Sequence, residues 1–488
     1  MLTPEQLRAI ASPAPRLFLE AAPGAGKTTV AAHRFAVQRW DEGRRTDSRG
    51  VIAVSFTRSA TAELRERVRR LYGRTAAQRP HRIATLDTLI YDLLQVLLAR
   101  GHVVWPGGHK ELEVVDNWRA LVDAPYSVWQ PAVRLDGNRV LVDQTREAQR
   151  AARPDPSAVA TKLAEGICTH EEVRAVLSEA LKQTSMRDPL VEYLAMTARA
   201  LIVDEVFDGN ELDLAVVKLA CAAGLEVTLI GDPWQALYRF RGARPDLVPG
   251  LVAETEMTTL PLSASFRWRT DEQAELARRL RNGESVLLPS RGPSDEPDAI
   301  LACEWRQLWE LDAHVLPLAF GSAKGNAPEA GATLLLDYVT RSLLGLDATY
   351  IGDALSTLRI GNPEAIARLD AGWPKVIEAL CQDADAGPKA GYQAMVDLLS
   401  TETSTPFPPV HWQYTKRLGW LRERLLFDGD MVPGMTIHQA KGREWDNVGL
   451  ALQDAHKERL LRGLTSAEAT DRQLYVGCTR ACVRTVAM

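Results

Sequence analysis

The feature that most constrains the fold is a glycine-rich segment, residues 20–28, with the sequence EAAPGAGKT. An apolar run at residues 17–19 precedes it, and a pattern of helical periodicity at residues 30–40 follows it. Small residues let backbone N–H groups close around phosphate oxygens, and the N-terminus of the following helix adds positive potential. The segment therefore predicts a phosphate-binding loop between a strand and a helix.

The side chains of this region suit a nucleoside triphosphate and its magnesium ion. Lys27 is placed to reach the β- and γ-phosphate oxygens, and the Thr28 hydroxyl to ligate Mg²⁺. Upstream, Gln6 is expected to face out of a short helix, where its amide can read an adenine edge or simply lie in solvent. The strict pattern begins with Gly where this chain has Ala21, so a turn that binds nothing stays open as an alternative. The loop itself consists of Ala22, Pro23, Gly24, Ala25 and Gly26.

Composition limits the classes of protein. The chain has 488 residues, 46% of them hydrophobic and 25% charged, which is typical of a soluble globular protein with several domains. The formal net charge of −5 means that any nucleic-acid contact must come from local grooves. The six cysteines lack the spacing of a zinc site or a disulfide framework, which favours a reducing cytoplasm. No signal segment or membrane span is apparent, so we expect a cytoplasmic protein without membrane contact.

Strand and helix patterns alternate along the chain. Apolar strand patterns lie at residues 50–56, 82–88, 200–205 and 227–230. A charged helix at residues 60–71 and an apolar helix at residues 89–98 separate the first of these strands. The alternation predicts an α/β fold with a parallel sheet.

Residues 95–196 interrupt the alternation with an irregular and mostly helical pattern, so we expect an inserted helical region. Its tryptophans, expected in a core, are Trp105, Trp118 and Trp129. Cys168 and His170 lie in the same region, but two potential ligands without further partners more often pack than bind metal.

Two strand ends carry side chains that suit phosphoanhydride hydrolysis. Asp204 is expected to hold Mg²⁺ through water, and Glu205 to orient and deprotonate the attacking water. After the next strand, Gln235 is placed to sense the γ-phosphate. An Asp-Glu pair is common in any sequence, so its position at the end of an apolar strand carries this prediction.

Aromatic and basic side chains near the strand ends indicate a nucleic-acid surface. Tyr238 and Phe240 offer stacking faces for bases. Phe56 ends a strand beside the arginine-rich helix at residues 60–71 and can line a groove for a single strand. The alternatives are that Phe56 and Phe240 are core residues and that the charged helix is merely a solvated amphipathic helix.

With these motifs in this order, the chain resembles the superfamily 1 DNA helicases of the UvrD, PcrA and Rep type. Further motif segments are residues 262–267 (LSASFR), 436–445 (TIHQAKGREW) and 474–481 (LYVGCTRA). The resemblance implies two RecA-like parallel-sheet domains with helical insertions. It also implies ATP and Mg²⁺ in the cleft between these domains, single-stranded DNA across their tops, and 3′-to-5′ movement.

The resemblance assigns roles to particular residues. Phe266 is implied to stack on adenine, Glu444 to contact the ribose and His438 a DNA phosphate. The implied catalytic residues, with arginine fingers last, are Lys27, Glu205, Gln235, Arg267 and Arg480. The implied ATP-binding residues are Gln6, residues 22–28, Thr29, Phe266, Gly442 and Glu444. The implied DNA-binding residues are Phe56, Thr57, Thr85, Tyr238, Phe240, Arg241 and His438.

Several positions depart from the family pattern. Phe207 stands where Gln is usual, so a hydrogen-bonding link between the ATP site and the DNA track is expected to be missing. Thr29 replaces an Arg that stacks on adenine, which puts adenine selectivity on other side chains. Asp87 replaces a His and is expected to repel a phosphate. Two further substitutions have no account from the sequence, Ser265 for Asn and Arg443 for Leu.

The motif spacing predicts the domain organisation. We expect a first RecA-like domain in two parts and a second with a reduced helical insertion. The predicted ranges are 1–94 and 197–262 for the first domain, 95–196 for its insertion, 263–488 for the second domain, and about 330–425 for the second insertion. The chain is expected to leave no room for a nuclease domain after Arg480.

The sequence favours an ATP-driven translocase or helicase on single-stranded or tailed duplex DNA, with a protein partner in a DNA-repair or antiphage-defence complex left open. Two alternatives come from other classes. One is a DNA-gated ATPase subunit that senses or switches in a larger assembly without processive unwinding, as in Gabija-type antiphage defence. The other is a degenerate structural binding module, which the intact Lys27, Asp204 and Glu205 argue against.

Overall fold

The computed structural model describes residues 2–41, 47–292, 296–322 and 325–488. The chain divides into two compact units. The first unit comprises Met1–Trp118, Val122–Trp268 and Ser466–Arg472. The second comprises Arg119–Leu121, Arg269–Thr465 and Gln473–Met488. Among the described helices, none combines the length and apolar character that crossing a membrane requires.

The first unit is built from alternating strands and helices. Its helices are α1 (Pro4–Ala11), α2 (Lys27–Trp40), α3 (Arg58–Tyr72), α4 (Leu86–Ala99), α5 (Pro156–Ala164), α6 (His170–Ala180), α7 (Thr184–Thr197), α8 (Glu211–Ala222) and α9 (Val248–Glu254). Its strands are β1 (Arg16–Ala21), β2 (Gly50–Ser55), β3 (Arg82–Thr85), β4 (Glu113–Val115), β5 (Tyr126–Asp136), β6 (Arg139–Ala152), β7 (Ile167–Thr169), β8 (Ala198–Val203), β9 (Glu226–Gly231) and β10 (Thr258–Leu262).

The main sheet of this unit has the strand order β10-β1-β9-β8-β2-β3, and every pairing in it is parallel. Every residue of β2 and of β8 is buried, as expected for parallel strands covered on both faces. Because the strands are parallel, their carboxyl ends meet at one edge, and Ser55 pairs directly with Thr85 there. The α/β prediction is confirmed.

Two apolar cores cover the two faces of this sheet. On β1, Leu17 and Leu19 lie in the core that contains Phe35 of α2. The intervening Phe18 lies in the opposite core, together with Leu94 of α4. The alternation follows from the two-residue period of a strand and fixes α2 and α4 on opposite faces.

The region between α4 and β8 contains a long antiparallel hairpin as well as helices. The strands β5 and β6 pair across the two-residue turn Gly137-Asn138, so the expectation of a mostly helical region is wrong here. Val133 and Val142 face each other across the ribbon and pack on the core, which gives the hairpin one apolar side. Trp105 and Trp118 are buried as expected, whereas Trp129 on β5 is 42% exposed and lies outside the core.

The second unit contains a smaller parallel sheet with the strand order β12-β13-β11-β14-β15. Its strands are β11 (Ala299–Ala302), β12 (Val315–Pro317), β13 (Val432–Thr436), β14 (Trp445–Ala451) and β15 (Ala481–Ala487). The remaining helices are α10 (Asp271–Arg281), α11 (Trp305–Trp309), α12 (Ala327–Leu344), α13 (Ile351–Leu358), α14 (Pro363–Cys381), α15 (Gly387–Leu399), α16 (Trp412–Leu425), α17 (Ile437–Ala440), α18 (Asp454–Arg462) and α19 (Ala469–Cys478).

Helices α12 to α16 fill the sequence between β12 and β13. They share a core that includes Trp373, Leu380, Tyr392 and Met395, each at most 1% exposed. This helical segment occupies the place in the sequence where we expect a reduced insertion. The exact domain boundaries stay a prediction.

Candidate active site

The glycine-rich segment forms the connection between β1 and α2. Gly24 and Gly26 have φ of +72° and +75°, a conformation that an L side chain would strain. The Ala25 N–H donates to the carbonyl of Ala22 (3.2 Å), which closes the loop, and α2 begins at Lys27. The first N–H groups of α2 therefore follow a tight loop of small residues, as phosphate binding requires.

Gln6 supports this loop from below. It is only 4% exposed, so the expectation that it faces outward is wrong. Its Nε2 donates to the carbonyl of Ala25 (2.9 Å), and its Oε1 accepts from the backbone N–H of Thr3 (3.0 Å) in the capping box that starts α1. The capping box buries the amide against the loop because Gln6 is the third residue of the helix. Its role in reading adenine stays a prediction.

Three predicted catalytic residues meet at the carboxyl edge of the first sheet. The ammonium of Lys27 lies 2.9 Å from Glu205 Oε1 and donates to Gln235 Oε1 (3.2 Å). These residues follow β1, β8 and β9, which are neighbours in the sheet. Parallel strand order thus brings together side chains that are far apart in sequence.

The acidic pair after β8 is held tightly. Asp204 is 4% exposed, and its Oδ1 accepts from the Glu205 N–H (3.0 Å). Burial, followed by the charge of Glu205, raises the pKa of Asp204, while the charge of Lys27 opposes the shift. Asp204 and Thr28 present the carboxylate and hydroxyl oxygens that Mg²⁺ prefers, so the donor set fits that ion.

Glu205 has a strained backbone, with φ of +61° and ψ of +41°. A side chain other than Gly or Asn is uncommon in this left-handed region, and the strain costs about 1–3 kcal/mol. The kink ends β8 and begins the short helix Val206–Asp208. It turns the Glu205 side chain toward Lys27, which is consistent with a catalytic position.

Gln235 is fixed by Asp232. The Asp232 side chain accepts from Gln235 Nε2 (2.9 Å) and from the N–H of Trp234 (3.1 Å), and it is itself fully buried. This contact sets the orientation of the amide, so that Gln235 Oε1 points to Lys27. The γ-phosphate sensor role stays a prediction with this geometry behind it.

The segment that carries Phe266 and Arg267 rests on the glycine-rich loop. The Phe266 N–H donates to the carbonyl of Gly24 (3.0 Å). A Cβ on Gly24 would lie 2.6 Å from Ser265 Oγ and 2.7 Å from Arg267 Cβ, so this approach requires glycine. Ser265, which the sequence left without an account, also accepts from the Arg267 N–H (3.3 Å).

Exposure differs sharply between these two neighbouring side chains. Phe266 is 57% exposed, as a ring that stacks on a base must be before binding. Arg267 is 9% exposed, and its guanidinium lies 5.5 Å from the centre of the Trp268 ring. Trp268 is therefore a neighbour of the predicted arginine finger that the sequence analysis does not single out.

Thr29, where the family carries an arginine, receives one from elsewhere. Arg67 on α3 donates to Thr29 Oγ1 (2.6 Å) and to the carboxylate of Glu63 (3.2 Å). An arginine is thus present beside this position, although it belongs to another helix.

Phe207 is part of the hydrophobic core. It is 5% exposed, and its ring lies 6.1 Å from the ring of Phe18 on β1. A Cβ on Gly231 would approach the Phe207 ring to 2.7 Å, so the strand beside it is adapted to the aromatic side chain. Phe207 has no polar group, and the hydrogen-bonding link expected of Gln at this place is absent from it.

Two predicted DNA-binding threonines occupy equivalent positions. Thr57 caps α3 by accepting from the Ala60 N–H (3.1 Å), and Thr85 caps α4 by accepting from the Thr88 N–H (3.2 Å). Both follow neighbouring strands at the same edge of the sheet. The N-termini of α3 and α4 are favourable places for a phosphate.

The aromatic residues of the DNA prediction divide into two environments. Phe56 is half-buried and packs against the core. Phe240 is 66% exposed, so the core alternative is wrong for it. The rings of Tyr238 and Phe240 lie 6.0 Å apart, and the Arg241 guanidinium lies 5.4 and 5.6 Å from their respective centres. Two rings and a cation on one short helix make a surface for bases and phosphates.

Asp87 does not present an isolated negative charge. Its carboxylate pairs with Arg174 on α6, and Arg174 also pairs with Asp213 on α8. The expected repulsion of a phosphate is therefore weakened by a cation that the sequence analysis does not consider. Nothing in the sequence places Arg174 near Asp87, because the two are joined only by tertiary packing.

The second unit holds the remaining predicted residues. His438 on α17 contacts Gln473 Nε2 through its Nδ1 (3.4 Å). Arg480 is 1% exposed and donates from Nε to the carbonyl of Val476 (3.1 Å) and from Nη1 to that of Arg443 (3.5 Å). The contact with Arg480 uses only the backbone of Arg443. The predicted ribose contacts, Gly442 and Glu444, lie in the exposed turn before β14.

Arg472 on α19 is missed by the sequence analysis. It groups with the first unit and is 2% exposed. Its Nε donates to the carbonyl of Ala236 (2.8 Å), directly after Gln235, and its Nη1 donates to that of Ser466 (2.6 Å). The available signal is its position two residues before the LYVGCTRA segment.

Comparison with known proteins supports this geometry. The family model of the UvrD/REP helicase N-terminal domain matches residues 2–121 and 160–251. DNA helicase II of Escherichia coli is 24% identical over 342 residues, which cover 63% of this chain and 44% of that protein. ATP-dependent DNA helicase Rep of Escherichia coli is 25% identical over 264 residues, covering 50% and 38%. The Pif1 helicase structure from Candida albicans covers 63% of this chain and 52% of its own at 12% identity, with a TM-score of 0.31, and carries no argument.

The chain belongs to the UvrD/PcrA/Rep-like family of superfamily 1 helicases. It spans less than half the length of the curated relatives DNA helicase II and Rep. The family model leaves out residues 122–159, and these include the hairpin β5–β6.

Proposed function

We propose that the chain is an ATP-driven motor on single-stranded DNA, an ATP hydrolase of the helicase class. The observation that carries the proposal is the meeting of Lys27, Glu205 and Gln235 at one sheet edge, beside the buried Asp204. A cation, a carboxylate and an amide in this arrangement suit phosphoryl transfer to water.

Each residue has a distinct task in the proposed reaction. Lys27 and the N–H groups at the start of α2 bind the β- and γ-phosphates. Glu205 orients the attacking water and accepts its proton, and Gln235 contacts the γ-phosphate. Thr28 and Asp204 would hold Mg²⁺, which when bound neutralises phosphate charge.

The proposed nucleotide site also uses Phe266 for the adenine face, with Gln6, Gly442 and Glu444 around the base and ribose. Arg267 and Arg480 are proposed to stabilise charge on the transferring phosphoryl group. Placing ATP between the two units, so that Arg480 acts from the second, is part of the proposal.

Movement along DNA is proposed to follow from the connection between Gln235 and Phe240. Only four residues separate the amide from the exposed ring, and the short helix Tyr238–Arg241 carries the aromatic pair. A change at the γ-phosphate can therefore be transmitted directly to a stacked base. We propose the 3′-to-5′ polarity typical of the family.

ATP hydrolysis measured with single-stranded DNA, single-stranded RNA, blunt duplex or no nucleic acid tests the proposal. We expect single-stranded DNA to stimulate turnover strongly and blunt duplex to stimulate it weakly. A turnover rate that is the same under all four conditions would contradict a DNA motor.

A second candidate is a DNA-gated ATPase that switches within a larger assembly, for example in antiphage defence. The buried Phe207 favours it, because this side chain cannot form the polar link expected between the ATP site and the DNA track. The discriminating measurement is strand displacement on tailed duplexes by the purified chain. Strong stimulation of the ATPase with little displacement favours the switch, and efficient displacement of long duplex favours the helicase.

A further inference from the structure

The hairpin β5–β6 has two chemically different halves. Near the turn, Arg134 lies 3.5 Å from the carboxylate of Asp143, so its charge is compensated within the ribbon. The other half consists of residues 126–130 and 144–153, here called the basic aromatic strip. Glu147 is the acidic residue in the strip, set against three arginines.

Two arginines of the strip are held by groups without formal charge. Arg150 Nη2 donates to the carbonyl of Tyr126 (2.8 Å), and its guanidinium lies 5.9 Å from the centre of that ring. Arg153 donates to Gln130 Oε1 (2.5 Å) and to the carbonyl of Gln149 (3.2 Å). These contacts fix the guanidinium groups in place and leave their positive charge uncompensated.

The aromatic residues of the strip are accessible. Tyr126 is 66% exposed and Trp129 is 42% exposed. Trp129 is the cross-strand partner of Arg146, so the ring and this exposed arginine lie on the same face of the ribbon. Rings interleaved with arginines match the alternation of bases and phosphates in a single strand.

The ribbon is anchored at its turn. The Val104 N–H donates to the carbonyl of Asn138 (2.7 Å), and the Val140 N–H donates to the carbonyl of Val104 (3.0 Å). The strip is therefore presented by a fixed ribbon whose tip is already occupied. It has the properties of a preformed contact surface.

We propose that the basic aromatic strip is an accessory contact for single-stranded nucleic acid. Bases stack on Trp129 and Tyr126, and phosphates pair with Arg146 and Arg150. The proposal deepens the proposed function and rests on it. It adds a contact outside the conserved motifs, in a segment that the family model does not match.

The double variant Arg146→Glu/Arg150→Glu and the single variant Trp129→Ala test this in the full chain. Arg139→Glu is the matched control, because Arg139 is an exposed arginine of the same strand outside the strip. Binding is measured by fluorescence anisotropy with oligodeoxythymidine of about 10 and about 30 nucleotides, a range that brackets common site sizes. Thermal melting confirms that each variant is folded.

We expect the strip variants to bind the longer oligonucleotide roughly tenfold more weakly and the shorter one unchanged. The salt dependence of the double variant should fall by about one phosphate contact or more, a slope change of about 0.7 per contact. Trp129→Phe should restore most of the binding that Trp129→Ala loses.

Two results overturn the proposal, and they are distinguishable. If the strip variants bind as Arg139→Glu does while DNA still stimulates the wild-type ATPase, the strip is wrong and the proposed function stands. If neither the ATPase nor the anisotropy of the wild type responds to any oligonucleotide, the proposed function fails and the strip fails with it.

Discussion

Lys27 and Glu205 form an ion pair, with 2.9 Å between the ammonium and the carboxylate and side-chain exposures of 11% and 21%. The residue proposed to hold the phosphates is thus paired with the residue proposed to activate water. A triphosphate that enters the loop must compete with Glu205 for the ammonium. The pair therefore connects binding to the catalytic step.

This relationship predicts opposite effects on binding from two substitutions. Glu205→Gln removes the competing charge and the general base, so we expect ATP to bind at least as tightly while turnover falls by about 10²- to 10⁴-fold. Lys27→Ala removes the phosphate contact and should abolish both binding and turnover. Binding is measured with a fluorescent ATP analogue, and turnover by phosphate release. Near-normal turnover of Glu205→Gln would show that another group is the base.

The parallel sheet is predictable because its strands are short apolar runs followed by turns, as in β2 and β8. The hairpin β5–β6 is not identified, although Asp136-Gly137 between alternating apolar residues is a hairpin signal. An irregular pattern between two helices favours helix when only periodicity is considered. Cross-strand pairing, which makes this ribbon stable, is invisible to local periodicity.

Site residues within continuous motifs are predictable because strand order brings the motif ends together. What a side chain contacts is less predictable when its partner comes from a distant segment. Gln6 turns inward because Ala25 offers a carbonyl, and Asp87 is neutralised because Arg174 packs beside it. Arg472 is missed because its acceptor, the Ala236 carbonyl, is a backbone group with no sequence signature.

Gly24 makes a prediction that separates close approach from backbone strain. Gly24→Ala would place a Cβ 2.6 Å from Ser265 Oγ and 2.7 Å from Arg267 Cβ, at a φ of +72°. Gly73→Ala is the matched control, since Gly73 has φ of +86° with nothing within 4 Å of the added Cβ. Both should lose about 1–2 kcal/mol of stability from the left-handed backbone.

Only Gly24→Ala should also displace Phe266 and Arg267, so we expect its ATPase kcat to fall at least tenfold while that of Gly73→Ala stays normal. Chemical denaturation gives the stabilities, and steady-state kinetics the rates. Equal ATPase rates in the two variants would show that the contact with residues 265–267 does not matter for catalysis.

Phe207 predicts that the family glutamine cannot simply be restored. Phe207→Gln would bury an amide against Phe18 without a nearby polar partner on that ring, and we expect a loss of about 2–4 kcal/mol. Phe207→Leu keeps the site apolar and should lose less. Urea denaturation measures both. A stable Phe207→Gln with improved strand displacement would mean that the amide finds a partner and that the polar link is recoverable.

Trp268 predicts a positioning effect on Arg267. A cation–π contact is worth about 0.5–2 kcal/mol, so Trp268→Leu should lower the ATPase kcat by roughly three- to thirtyfold. KM should hardly change, because an arginine finger acts chiefly in the transition state. Trp268→Tyr keeps a ring and should restore most of the rate. A rise in KM with constant kcat would instead indicate a role in ATP binding.

Phe240 gives the sharpest test of coupling between ATP and DNA. Its ring is 66% exposed, so Phe240→Ala should leave the melting temperature and the basal ATPase unchanged. Base stacking on an aromatic ring is worth about 1–3 kcal/mol, and we therefore expect single-stranded DNA to bind about ten- to a hundredfold more weakly. Translocation along single-stranded DNA should slow, because the ring lies four residues beyond the amide of Gln235.

The matched control is Leu287→Ala, which removes another exposed apolar side chain, 78% exposed, from a position outside the proposed DNA surface. Its DNA affinity and translocation should equal those of the wild type. Phe240→Ala with normal basal ATPase and wild-type translocation would refute the stacking role. A large fall in melting temperature would instead show that Phe240 packs in solution, which its exposure in this structure argues against.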